Sequence, residues 1–108
     1  MTIREYQKQS TRTLNKELDA TGQVINMIMG MNGEVGELTD LIKKNMFQGH
    51  DLYDSQVVDE LGDIMFYIVN LCNILDIEME HVLDYNISKL QKRYPNGFTK
   101  GDSINREE

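Results

Sequence analysis

The chain has 108 residues, 40% hydrophobic and 27% charged, which suits one domain with a core, and a helical domain this small gains buried area by self-association. A formal charge of −7 and a pI near 4.7 exclude a general attraction to nucleic acid backbone or to anionic lipid, both of which need clustered positive charge. No stretch approaches the ~20 uninterrupted apolar residues of a membrane span, the amino terminus has no signal-peptide core, and the single cysteine, Cys72, reads as a packed reduced thiol, so a soluble cytoplasmic protein is expected.

Taken in chain order, residues 3–18 carry helix formers and a modest apolar set, and Thr2 with Glu5 three residues on makes a capping box. Asp19-Ala20-Thr21-Gly22 combines a turn former with a glycine and is the expected break. The spacing predicts a second helix over 23–47, with Val24, Ile28, Met31, Val35, Leu38 and Ile42 alternating at four and three. Residues 48–55 supply a loop in which Asp54 or Ser55 can cap the next helix. That third helix, over 56–75, has a stripe of Val57, Leu61, Ile64, Ile68, Leu71 and Leu75, and it should pair with the second as an antiparallel hairpin. A fourth helix follows Asp76-Ile77-Glu78 and ends before Pro95, burying Val82, Leu83, Ile87, Leu90 and Tyr94. The fold class is therefore all-α: four main helices around a central hairpin, a bundle completed by oligomerisation, with residues 1–95 as the domain and 96–108 as a polar arm, ordered or not.

Two acidic pairs sit inside these apolar helices: Glu34-Val35-Gly36-Glu37 and Glu60-Leu61-Gly62-Asp63. Residues three apart share a helix face, so each pair offers two carboxylates on one side. Met27, Met31, Glu34, Leu38 and Leu41 form one stripe, which puts Glu34 where burial is expected. Four carboxylates between two helices repel one another unless a cation bridges them, and hard divalent ions such as Mg²⁺ take oxygen ligands. Gly33, Gly36 and Gly62 beside the acids permit either close helix packing or room for a bulky polyphosphate. Lys44, one heptad after Glu37, can reach the same mouth, and Tyr67, one turn beyond Asp63, can stack on a base, bond a phosphate, or be a half-buried core tyrosine. Asn86, Lys89 and Arg93 form a polar face on the fourth helix, a solvated one if nothing binds there. A lone Glu-x-x-His at Glu78 and His81 lacks the second copy that a di-iron bundle requires.

The segments Gly33-Glu34-Val35-Gly36-Glu37-Leu38, Asp59-Glu60-Leu61-Gly62-Asp63, Asn86-Ile87-Ser88-Lys89-Leu90 and Arg93-Tyr94-Pro95-Asn96-Gly97-Phe98 together resemble the MazG-like, all-α nucleoside triphosphate pyrophosphohydrolases. The resemblance implies that Glu34, Glu37, Glu60 and Asp63 are catalytic metal ligands for Mg²⁺, with Mn²⁺ a possible substitute. It also implies that Asn86 and Lys89 face the nucleotide and that Arg93 contacts phosphate. The implied reaction is (d)NTP plus water to (d)NMP and pyrophosphate, by attack of metal-activated water at the α-phosphorus, with Glu37 or Glu34 as base. A homodimer or homotetramer would complete the pocket, and no tryptophan is present to grip the base. Two alternatives stand beside this reading: a phosphoribosyl-ATP pyrophosphohydrolase, which resembles the group in fold and acidic motif, and a non-catalytic metal-binding helical interaction module.

Overall fold

The computed structural model describes residues 1–106. Among them the chain is helical with no strand: α1 is Ile3–Gln9, α2 is Ala20–Phe47, α3 is Asp54–Ile74, α4 is Met79–Arg93 and α5 is Lys100–Ile104. A 3₁₀ turn, Ser10–Thr13, follows α1.

The expected capping box forms at the start of α1: the Glu5 backbone N–H donates to Thr2 Oγ1 at 3.1 Å and the Thr2 N–H donates to Glu5 Oε2 at 3.3 Å. The first helix stops well short of residue 18. Ser10 Oγ donates to the Gln7 carbonyl and Thr11 Oγ1 to the Lys8 carbonyl, and such local hydroxyl bonds compete with helix continuation. The break therefore falls earlier than Asp19, which instead caps α2 by accepting the Gly22 N–H at 2.7 Å. Residues Ala20 to Gly22, expected in the break, are the first turn of α2.

At the far end of α2, Gly49 at φ 72° lets the chain turn while the His50 N–H donates to the Lys44 carbonyl. The α3 cap is Tyr53 rather than Asp54 or Ser55: Gln56 Oε1 accepts the Tyr53 N–H at 2.9 Å, closing the turn one residue early. The fourth helix ends at Arg93, before the residue that precedes Pro95, as the proline ring requires. Within the polar arm, Thr99 accepts the Asp102 N–H and starts the short α5, so the arm is helical over residues 100–104, making five helices rather than four.

The long helices α2 and α3 are packed together, with Gly30 against Tyr67 and Glu34 near Glu60. A small core of Val69, Cys72 and Met79, flanked by Tyr6 and Ile68, joins α1, the end of α3 and the start of α4. Cys72 lies against the Met79 thioether, and burial pushes its thiol pKa up, as suits a packed residue. Buried amides tie the same three elements. Gln7 donates to the Ile77 carbonyl and accepts the Met79 N–H, both at 2.9 Å; Asn73 donates to the Gln7 carbonyl; and the fully buried Asn70 donates to Ser10 Oγ and the Phe66 carbonyl.

Much of the apolar periodicity is not covered within one chain. The expected buried side of α4 is open at Val82, Leu83, Ile87 and Leu90, because α4 meets α1 as its principal partner. Ile28, Val35 and Ile42 on α2, Leu61 on α3, and Leu75 just after α3 are also exposed. The radius of gyration of 17.2 Å exceeds the roughly 13 Å of a compact chain this long, so the helices are splayed rather than closed into a bundle.

Candidate functional site

The acidic group lies where α2 crosses α3. One carboxylate oxygen from each of Glu34, Glu37 and Glu60 falls within 4.8 Å of the others, an arrangement able to hold a cation. Helical spacing creates it: Glu34 and Glu37 leave α2 on one side, and α3 presents Glu60 to the same gap. Asp63, one turn along α3, is exposed and outside that group, yet its charge reaches Glu34.

Glu34 carries the electrostatic signature of the site. Its pKa is raised from 4.5 to about 7, first by the hydrogen bond with the Glu60 carboxyl, then by desolvation, then by the charge of Glu37 and its hydrogen bond, and last by the charge of Asp63. The Oε2 atoms of Glu34 and Glu60 are withdrawn from solvent and have no hydrogen-bond partner in the protein. Orphaned carboxylate oxygens beside other carboxylates are the inverse of a stable ion pair, and a divalent cation is the species that suits them.

The neighbouring glycines separate the two uses open to them. A methyl added at Gly33, Gly36 or Gly62 would meet nothing within 4 Å, so close packing inside the chain does not exclude a side chain there. Open space flanks the acids instead. Gly30, one turn before Glu34, is different, since a Cβ there would run into the Tyr67 ring.

The other sequence-predicted residues are distributed as follows. Lys44 projects from α2 one turn beyond Asp40 and pairs with it at 2.9 Å; the ammonium group beside Asp40 holds that carboxyl below its ordinary value. Tyr67 is half-buried with its ring against Gly30 and edge-on to Phe66, at a centroid distance of 5.3 Å. Asn86, Lys89 and Arg93 all lie on α4, Asn86 exposed and the other two half-buried. Glu80, inside the Glu-x-x-His spacing of Glu78 and His81, is engaged by Arg4 at 2.8 Å, and the metal-capable group among the described residues contains no histidine. Reading the sequence missed Gly30 as a contact, although its position four residues before Glu34 was available as a signal. It also missed the amide anchor of Gln7 and Asn73, for which polar helix residues carry no distinctive pattern.

A family model, the MazG nucleotide pyrophosphohydrolase domain, matches residues 23–98, the span that contains both acidic pairs and all of α3 and α4. The chain belongs to the MazG family. It is also similar to the Gene 37 protein of Mycobacterium phage L5, with 35% identity over 82 residues, covering 72% of this chain and 72% of that protein. No solved structure matches. The MazG match begins at Gln23 and so leaves α1 and its amide anchor outside the family segment. Within it, no helix of the described residues is long and apolar enough to cross a membrane.

Proposed function

We propose that this MazG protein is a divalent-metal-dependent nucleoside triphosphate pyrophosphohydrolase, converting a (d)NTP and water into the (d)NMP and pyrophosphate. The observation that carries the reading is the pair of unpartnered, solvent-shielded Oε2 atoms on Glu34 and Glu60, set beside Glu37 in a group of carboxylate oxygens. This all-oxygen donor set fits Mg²⁺, with Mn²⁺ as a substitute, and Glu34, Glu37, Glu60 and Asp63 would hold it. When bound, the ion supplies positive charge to the phosphate chain and acidity to a water molecule.

The chain's own groups then divide the work. The open space at Gly33, Gly36 and Gly62 admits the triphosphate alongside the acids. Lys44, Lys89 and Arg93 supply cationic contacts to phosphate oxygens, Lys44 leaving Asp40 to do so, and Asn86 bonds the nucleoside. Glu37, exposed at the rim, accepts the proton of the water that attacks the α-phosphorus, with Glu34 the other acid in reach. The bond to the bridging oxygen breaks, and pyrophosphate leaves with that oxygen.

The active form is a homodimer or homotetramer of a single catalytic domain, residues 1–95, with a C-terminal arm from 96 to 108. Support comes from the uncovered stripe of Ile25, Ile28, Val35, Ile42 and Met46 on α2 and from Val58 and Leu61 on α3. A groove of about 520 Å³ along α2, lined by Val35, Leu38, Ile42, Met46 and Phe47, lies in the same apolar surface.

The test is a panel of ribo- and deoxyribonucleoside triphosphates and phosphoribosyl-ATP, with Mg²⁺, resolving the products by chromatography. In ¹⁸O-labelled water, the reading expects label in the monophosphate and unlabelled pyrophosphate. Turnover confined to phosphoribosyl-ATP would move the protein to histidine synthesis. No pyrophosphate from any substrate would make it a silent metal-binding module.

A further inference from the structure

We infer that Gly30 and Tyr67 form a steric notch that sets α2 against α3 and so holds Glu34 opposite Glu60, which makes both of them positioning residues for the metal group; this rests on the reading given under Proposed function. Glycine in the middle of a long helix is costly, and at Gly30 the structure shows what uses it. A Cβ built there would lie 2.7 Å from Tyr67 Cδ1 and closer still to Cε1 and Cζ. The ring is half-buried and has a neighbour on one side. Phe66 packs edge-on against it at 5.3 Å with an interplanar angle of 79°, and the next turn of α3 holds the fully buried Val69 and Asn70. A methyl at position 30 must therefore displace the Tyr67 ring, and we expect the two helices to move with it.

The notch lies close enough to the acids for such a movement to matter. Gly30 precedes Glu34 by one turn, about 6 Å along α2, and Tyr67 follows Asp63 by one turn along α3. At the level of the acids, Gly33, Gly36 and Gly62 face open space, so these glycines make no close contact of the kind seen at Gly30. Metal ligands tolerate errors of only a few tenths of an ångström, so a shift of the helices at this contact would disturb the convergence of the three carboxylates.

The experiment uses the full chain and two readouts. In a Cys72→Ala background, Glu34→Cys and Glu60→Cys are joined by a short bifunctional thiol reagent, which reports helix alignment without any metal. With the acids intact, calorimetric titration with Mn²⁺ reports ion affinity, and circular dichroism and thermal melting report folding. Gly30→Ala is expected to slow cross-linking and weaken Mn²⁺ binding about 10- to 100-fold, the range for groups that orient metal ligands. Tyr67→Phe keeps the ring and should match the wild type in both readouts. Tyr67→Ala empties the notch and should weaken both, and combining it with Gly30→Ala should recover part of the loss. Should Gly30→Ala fail to fold, the Tyr67→Ala and Tyr67→Phe pair decides. Wild-type cross-linking and affinity in folded Gly30→Ala or in Tyr67→Ala overturns the inference alone. A wild type that cross-links but binds no Mn²⁺ overturns the metal reading of the site, and with it the positioning role.

Discussion

Glu34 is the residue on which burial, charge and hydrogen bonding converge, and its behaviour with pH follows from them. Its folded-state pKa of about 7 lies above the ordinary 4.5, so between those values the folded chain holds a proton that the unfolded chain has lost. For the metal-free protein this group's contribution to stability is most favourable below pH 4.5 and is lost as pH rises through 7. Thermal melts in chelator should accordingly give a smaller melting temperature at pH 8 than at pH 5. Glu34→Gln, which cannot ionise, should lessen that difference, and Mg²⁺ should raise the pH 8 value of the wild type only. Ion affinity runs in the opposite sense. Binding must displace the proton, so affinity measured by calorimetry should fall by about tenfold per unit as pH drops below 7. An affinity independent of pH between 5.5 and 7 would contradict the placement of Glu34 in the ion group.

At the scale of elements, the acidic pairs were legible because i, i+3 spacing and an interrupted apolar stripe are local signals that a helix converts directly into a shared face. The same periodicity marked α2 and α3 as partners. What escaped was set by single side chains acting across the fold: the hydroxyls of Ser10 and Thr11 that end α1 early, the Asp19 carboxylate that starts α2 rather than interrupting it, and Gln7, whose amide clamps the α3–α4 turn. Gln7 is buried and spans the Ile77 carbonyl and the Met79 N–H, so Gln7→Ala leaves both backbone groups without that partner. The expected cost is about 1–3 kcal/mol, read as a lowered denaturation midpoint. Since α1 lies outside the acidic group, ion affinity in the folded variant should be unchanged; a parallel loss would mean that α1 helps to shape the site.

For the whole molecule, the apolar stripes read from the sequence exceed what one chain can bury. Met27, Val69, Cys72 and Met79 are the buried apolar residues among those described, whereas Val58 is 67% exposed and Ile28 and Leu61 are each 51% exposed. The α4 stripe of Val82, Leu83, Ile87 and Leu90, expected as that helix's buried side, is open in the single chain, because periodicity marks an apolar face and not which molecule covers it. Sedimentation should find a dimer or tetramer, and Val58→Glu or Ile28→Glu should shift it toward monomer; a monomeric wild type would leave those faces unexplained.

The most direct test of the central claim is the rate of pyrophosphate release from a nucleoside triphosphate with Mg²⁺, measured side by side for the wild type, Glu37→Gln and Asp63→Asn. The account predicts release by the wild type and loss of nearly all turnover in both variants, with circular dichroism showing each still folded. Release that persists in both variants would contradict it.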